Sequence, residues 1–214
     1  MKNRYILLLF LLCISCHEIE YYGETRYVVQ TIIKDTDGNP LQDKEVGIMV
    51  SDLEDTDQIS GGRTDANGKL TVVFPAAKGD STRYTISIIG DDFHQQKEYF
   101  NIIDEHFVDY KFSLHDIVLY RLNQITTLSV GLEQVNPNIR FDGYTIAAET
   151  PGYQVNLGTP LPEYGYYHDV TFGILTNQNV LLNYTLTDMS TMVTTDYTVE
   201  IQVANDPATY VISY

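Results

Sequence analysis

Apolar and polar residues alternate along most of the chain. Leu70, Val72 and Phe74 form one alternating set, Tyr84, Ile86 and Ile88 a second, and Tyr110, Phe112 and Leu114 a third. The later half repeats the pattern at Val170, Phe172 and Ile174, at Leu182, Tyr184 and Leu186, and at Val199, Ile201 and Val203. A period of two puts one face of a strand in a core and the other in water. No stretch longer than about ten residues holds a convincing 3.6-residue apolar period, so helices are not expected. The 17 tyrosines, with many Thr, Val and Ile, fit strands for the same reason.

Turn chemistry divides these strands. DTDGNP (35–40) and DANGK (65–69) are tight-turn signals, and the Asn-Gly of the second predicts a type I′ hairpin. AAKGDST, GDD, NPN, ETPG and NDPA mark further corners. Strands this short and this regularly interrupted belong to sandwiches. The expected fold is all-β, with two consecutive β-sandwich domains of immunoglobulin- or transthyretin-like type, residues 26–115 and 116–214. The joint is expected near His115 and Asp116. The closing Tyr214 is also a feature of outer-membrane barrels, but polar outward faces favour sandwiches.

The first residues follow another rule. Lys2 and Arg4 precede an apolar run from Tyr5 to Ile14, about half the length a membrane-spanning helix needs. A basic start, a short apolar core and then a small residue, Ser15, is the layout of a secretory signal. Leu12-Cys13-Ile14-Ser15-Cys16 resembles the lipobox of bacterial lipoproteins, with Cys13 where Leu, Val or Ile is usual. The resemblance implies cleavage after residue 15, lipidation of Cys16 and a membrane held through N-terminal acyl chains. The expected address is the cell envelope, at the outer membrane of a Gram-negative bacterium, with residues 16–25 as a tether. Cys13 and Cys16 are the only cysteines. A Cys-x-x-Cys redox or zinc site needs a strand-to-helix junction or further ligands, and neither is present in the sequence.

Charge narrows the partners. Lys and Arg number 13 against 29 Asp and Glu, a net charge of −16, and losing Lys2 and Arg4 makes the mature chain more negative still. Such a surface repels phosphate backbones, which argues against nucleic acid as a partner.

Two segments of the first half belong together. KDTDGNPLQDKEVGIMV, with Asp35, Gly38, Pro40 and Leu41, is followed by GGRTDANGKLTVVFP, with Thr64, Asp65, Gly68 and Leu70. Over residues 26–114 this resembles the carboxypeptidase regulatory-like, or transthyretin-like, β-sandwich module. It departs from that pattern at DKE (43–45) and at Gln30, where glycines are common. The resemblance implies a fold and an accessory role rather than a reaction.

Little chemistry is spelled out. His17, His94, His106, His115 and His168 fall in no metal-binding spacing, and there is no Gly-x-Ser-x-Gly elbow. No catalytic residue, metal or cofactor is expected. Asp35, Asp37 and Asn39 alternate as in a calcium loop, but Gly38 and Val46 stand where an EF-hand needs other residues, so a solvated hairpin corner is the better reading. The strongest binding candidate is PEYGYYHD (162–169), whose Tyr164, Tyr166 and Tyr167 would stack on sugar rings; the alternative is a tyrosine corner packed under a sandwich. The expected function is a non-catalytic envelope lipoprotein that binds a protein partner or a glycan. The alternative is a glycan-active hydrolase with paired carboxylates that sequence alone does not reveal.

Overall fold

The computed structural model describes residues 18–158 and 165–214; Cys16 and Tyr164 lie outside them. The strands of the first half are β1 (Tyr21–Asp35), β2 (Glu45–Ser51), β3 (Thr56–Arg63), β4 (Lys69–Ala77), β5 (Arg83–Ile88), β6 (Lys97–Ile102), β7 (Lys111–Ser113) and β8 (Ile117–Leu119). Those of the second are β9 (Ile125–Glu133), β10 (Ile139–Ala147), β11 (Gln154–Asn156), β12 (Val170–Leu175), β13 (Gln178–Asp188), β14 (Val193–Val203) and β15 (Ala208–Ser213). The only described helical pieces are single 3-10 turns at Asp104–His106 and Leu122–Gln124. None is long and apolar enough to cross a membrane. The chain is all-β.

β1 is the spine of the first sandwich. Tyr27, Val29, Thr31, Ile33 and Asp35 alternate inward and are all buried. β1 pairs antiparallel with β4, and its other edge takes β7 in parallel at Val28–Gln30 and then β8 at Ile33–Asp35. Between these two short strands the chain steps off the edge, and the Thr31 hydroxyl donates to the His115 carbonyl at 3.2 Å. The facing sheet has the order β11-β6-β5-β2-β3. Leu70, Val72 and Phe74 from β4 meet Val46, Ile48 and Val50 from β2 and Tyr84, Ile86 and Ile88 from β5 in one core. At one end of that core Tyr27 stacks on Phe107, with ring centroids 4.0 Å apart.

The second sandwich sets β10-β13-β14 against β12-β9-β15, with β15 parallel to β9. Its core is smaller: Leu128, Val130, Tyr144, Ile174, Val180, Leu182, Val203 and Ile212. β10 carries a bulge between Phe141 and Tyr144, where Gly143 takes φ +117 and a Cβ would lie 3.0 Å from the Tyr167 ring. Only glycine suits that position.

Several expectations need correction. Residues 16–25 are not a free tether along their length, because Ile19 is buried in the first core and β1 begins at Tyr21. An apolar residue so close to the sandwich finds more stabilisation in the core than in water. The first core runs on through Ile117 and Leu119, beyond the joint expected at His115–Asp116. β11, which the sequence places in the second domain, joins the first sandwich's sheet in parallel with β6. Tyr110, read as inward-facing, is 61% exposed; it shares a tight turn with Asp109, both at positive φ, while Val108 and Lys111 bond each other on either side. DANGK does not make a type I′ hairpin. β3 and β4 lie in different sheets, and Asn67 is absent from the residues at positive φ. The Asp65 carboxylate instead accepts the amides of Asn67 and Lys69, at 2.8 and 2.9 Å, leaving Gly68 alone at φ +69.

That turn interlocks with the one after β1. Ile33 donates its amide to the Gly68 carbonyl, Leu41 donates to Ile33, and the Thr64 hydroxyl donates to Leu41 at 2.6 Å. A Cβ on Gly68 would sit 2.4 Å from the Ile33 carbonyl oxygen. Gly68→Ala should therefore cost about 3 kcal/mol, since a strained φ is added to a backbone clash. Urea unfolding should show a lower midpoint at unchanged slope, and an unshifted midpoint would refute the interlock.

Each core also holds a tyrosine whose side chain is almost wholly buried. Tyr84 is fully buried and its oxygen accepts the Ala77 amide at 2.8 Å; burial pushes its ionisation up to about 12. Tyr144 is likewise pushed up to about 12, by burial first and then by the neighbouring Tyr166 and Asp169. The folded values lie above the ordinary phenol value near 10, so this stability is complete below pH ~10 and is lost as pH rises through about 12. In an absorbance titration at about 295 nm, these two tyrosines should ionise together with the loss of near-ultraviolet dichroism. Complete tyrosine ionisation with the dichroism intact would contradict this.

Candidate functional site

The aromatic loop is divided by the structure. Tyr166 exchanges both backbone hydrogen bonds with Tyr144, at 2.9 and 2.7 Å. Its ring packs 5.3 Å from Tyr144 and edge-on at 4.9 Å to Phe172, so Tyr166 walls the second core. The Tyr144 hydroxyl donates to the His168 carbonyl at 3.3 Å and fixes the loop from below. Tyr167 is 64% exposed and lies along Gly143. The two described tyrosines thus differ: Tyr166 packs its ring against the core aromatics while keeping 37% exposure, and Tyr167 is open to solvent.

The Asp35–Asn39 corner is fully engaged. One Asp35 carboxylate oxygen accepts the amides of Asp37 and Asn39 at 3.0 and 2.8 Å, and the other accepts the Asn39 side chain and Arg121, both at 3.1 Å. These donors, Asn39 foremost, hold the Asp35 carboxyl at about 2 against the opposing effect of burial. Among the described residues no group of three His, Cys, Asp or Glu is placed to hold a metal ion. The described histidines are apart: His94 lies beside Asp91 and Lys44, His106 accepts the Ile103 amide at 3.1 Å, and His115 and His168 accept through backbone carbonyls.

The residues that sequence reasoning missed lie where the two sandwiches meet. Arg121 reaches back to Asp35, and its amide donates to Gln124 Oε1 at 2.8 Å. Gln124 Nε2 in turn donates to Thr36 at 3.1 Å. Leu122 and Phe93 share a 2.8 Å backbone bond, and buried Gln95 donates from Nε2 to the Pro151 carbonyl at 2.6 Å. Beneath them the buried Lys44 Nζ pairs with Asp91 and contacts His94 Nδ1 at 3.1 Å. Burial favours the neutral acid at Asp91, but Lys44 and the amides of Phe93 and His94 outweigh it and hold the carboxyl well below the usual range. Lys97, half-buried over the Tyr99 ring, has its ammonium pushed down by burial.

A cleft of about 690 Å³ opens beside this seam, within the usual size range of small-molecule sites. Four turns bring its walls together: Tyr120, Asn123 and Gln124 from the link, Glu149 after β10, Asn177 between β12 and β13, and Asn205 between β14 and β15. Asn177, at φ +57, donates its side-chain amide to Asn205 Oδ1 at 3.2 Å. Gln178 accepts the Glu149 amide at 2.7 Å and donates to the Glu149 and Leu175 carbonyls, both at 2.8 Å.

A smaller pocket of about 200 Å³ lies at the N-terminal end, with Asp80, Asp104 and Glu105 in its wall. Burial raises the Asp104 carboxyl, with Glu105 and Asp80 adding to the effect and a Tyr27 hydrogen bond opposing it.

No protein-family model matches the sequence, and no curated protein matches it. Among solved structures the chain is similar to a 9R-lipoxygenase from Cyanothece PCC8801, at 15% identity over 54% of this chain and 20% of that one (TM-score 0.31). It is similar to shaft pilin SpaA from Lactobacillus rhamnosus GG, as its D295N mutant, at 10% identity over 88% and 98% (TM-score 0.33). It is also similar to the C-terminally truncated tip fimbrial protein Mfa3 from Porphyromonas gingivalis, at 9% identity over 81% of each chain (TM-score 0.29). The chain spans about a fifth of the lipoxygenase. Likeness at this level does not bear on activity.

The seam makes a direct prediction. In Arg121→Ala the Asp35 carboxyl loses its cation and should titrate above 2, closer to an ordinary aspartate. Because the folded value is depressed, the stability Asp35 confers is present above about pH 4 and is lost as pH falls through about 2; the variant should therefore lose it at higher pH. Carboxyl ¹³C titration measures this, and an unchanged Asp35 curve would show that the ion pair contributes nothing.

Proposed function

We propose that the protein is a lipid-anchored, non-catalytic module of the cell envelope, a two-sandwich body that binds a partner protein or a glycan at a membrane surface. The observation that carries this reading is the position of Ile19. It is buried in the first core only three positions after Cys16, so an acylated Cys16 would hold the body within about 10 Å of the lipid headgroups. The acidic surface does not attract anionic lipid, which leaves the acyl chains to do the holding.

The alternative, a glycan-active hydrolase, has one specific place to reside. Asp104, with its carboxyl raised by burial and acids beside it, has the character of a general acid.

Cys16→Ser should abolish metabolic labelling with palmitate and move the protein from the membrane fraction to the soluble one. Labelling that persists in this variant would overturn the anchor. Chromogenic glycosides should not be turned over by the wild-type protein; turnover that disappears in Asp104→Asn would replace the binding reading with the hydrolytic one.

A further inference from the structure

We infer that the cleft beside the joint is a binding site for the hydroxyl groups of an uncharged glycan. The inference deepens the binding reading above and rests on it. The cleft walls are set before any ligand arrives. The Asn177–Asn205 bond ties two turns together, and Gln178 fixes Glu149 to Leu175 through three hydrogen bonds. A pre-set site loses little entropy on binding.

The groups left over define the ligand. The Tyr120 hydroxyl, the Asn123 amide, the Asn205 Nδ2 and the Glu149 carboxylate line the cleft and have no hydrogen-bond partner among the described residues. Amides and a phenol both donate and accept, and so does a sugar hydroxyl. The half-buried Ile125 and Leu175, with the Tyr120 ring, supply apolar surface for the C–H face of a pyranose. Glu149 and a net charge of −16 oppose uronates, sulfates and phosphates. Most of the lining is turn side chains, and at Leu175, where the edge strand β12 ends, the amide already donates to the Glu149 carbonyl and the carbonyl already accepts from Gln178, so an extended peptide finds no ladder to join there.

The test uses the mature lipidated chain in detergent micelles. Cellohexaose, maltohexaose and mannohexaose are the probes, with an oligogalacturonate and a polar hexapeptide for comparison. Calorimetry and saturation-transfer NMR should show saturable binding of at least one neutral hexasaccharide and none of the oligogalacturonate. Asn123→Ala and Asn205→Ala, both at exposed turn positions, should each weaken binding about two- to tenfold, and together by more than either alone. Leu53→Ser, on an 88% exposed loop position outside the cleft, should leave binding unchanged. Near-ultraviolet dichroism should show the variants folded. Binding that survives the double variant, preference for the peptide or the acidic glycan, or no binding of any neutral probe would overturn the cleft assignment while leaving the membrane anchor untouched. New reducing ends in the mixture would overturn the non-catalytic reading and the proposal built on it.

Discussion

The carboxylate of Asp35 stands where three parts of the chain meet. It ends the inward row of β1, closes the turn that follows, and receives Arg121 from the link between the sandwiches. A buried carboxylate is stable only when its oxygens are fully bonded, and here each accepts two donors. Removing any one donor would leave a desolvated charge short of a partner. The consequence reaches beyond the turn, because Arg121 also donates through its amide to Gln124, and Gln124 lines the cleft. The orientation of the second sandwich's link thus depends on an aspartate of the first.

Seen this way, the two halves are less independent than their two cores imply. Hydrophobic burial is segregated, one cluster to each sandwich. Polar contacts cross between them instead: Arg121 to Asp35, Gln124 to Thr36, Gln95 to Pro151 and Glu98 to Tyr153. Such bonds contribute modestly to stability but strongly to geometry, since each fixes a direction as well as a distance. A cleft whose walls come from four turns keeps its shape only if those turns are held this way.

The strands of the first core were legible in sequence because they are long enough to show a period. Leu70, Val72 and Phe74 are all buried, as are Tyr84, Ile86 and Ile88. In the second half the same alternation holds more loosely; Ile174, Leu182 and Val203 are buried while their partners in each set are partly covered. β7 was legible from Phe112 and Leu114, which pack on the first core, although Tyr110 of the same set does not; β8 and β11 were not legible, since each has only three residues and pairs in parallel with a strand distant in sequence. Asn-Gly pointed to the wrong turn because the Asp65 carboxylate captured the amides that a hairpin would have used. Within the tyrosine loop, composition gave no means of separating Tyr166, which bonds to Tyr144, from the open Tyr167. The cleft was invisible for a simpler reason: Asn123, Glu149, Asn177 and Asn205 obey no spacing rule and meet only once the strands are in place.

The parallel strand β11 carries one more implication, for the order in which the protein comes into being. During synthesis the first-made half emerges with a nearly complete core, yet the outer edge of β6 stays bare until residues 154–156 have been made and brought back to it. Through that interval the nascent chain presents an unpaired strand edge, the feature most prone to pairing with a neighbouring molecule. The first sandwich is therefore finished by the second, and a chain cut at the joint between them would keep its core but expose its edge.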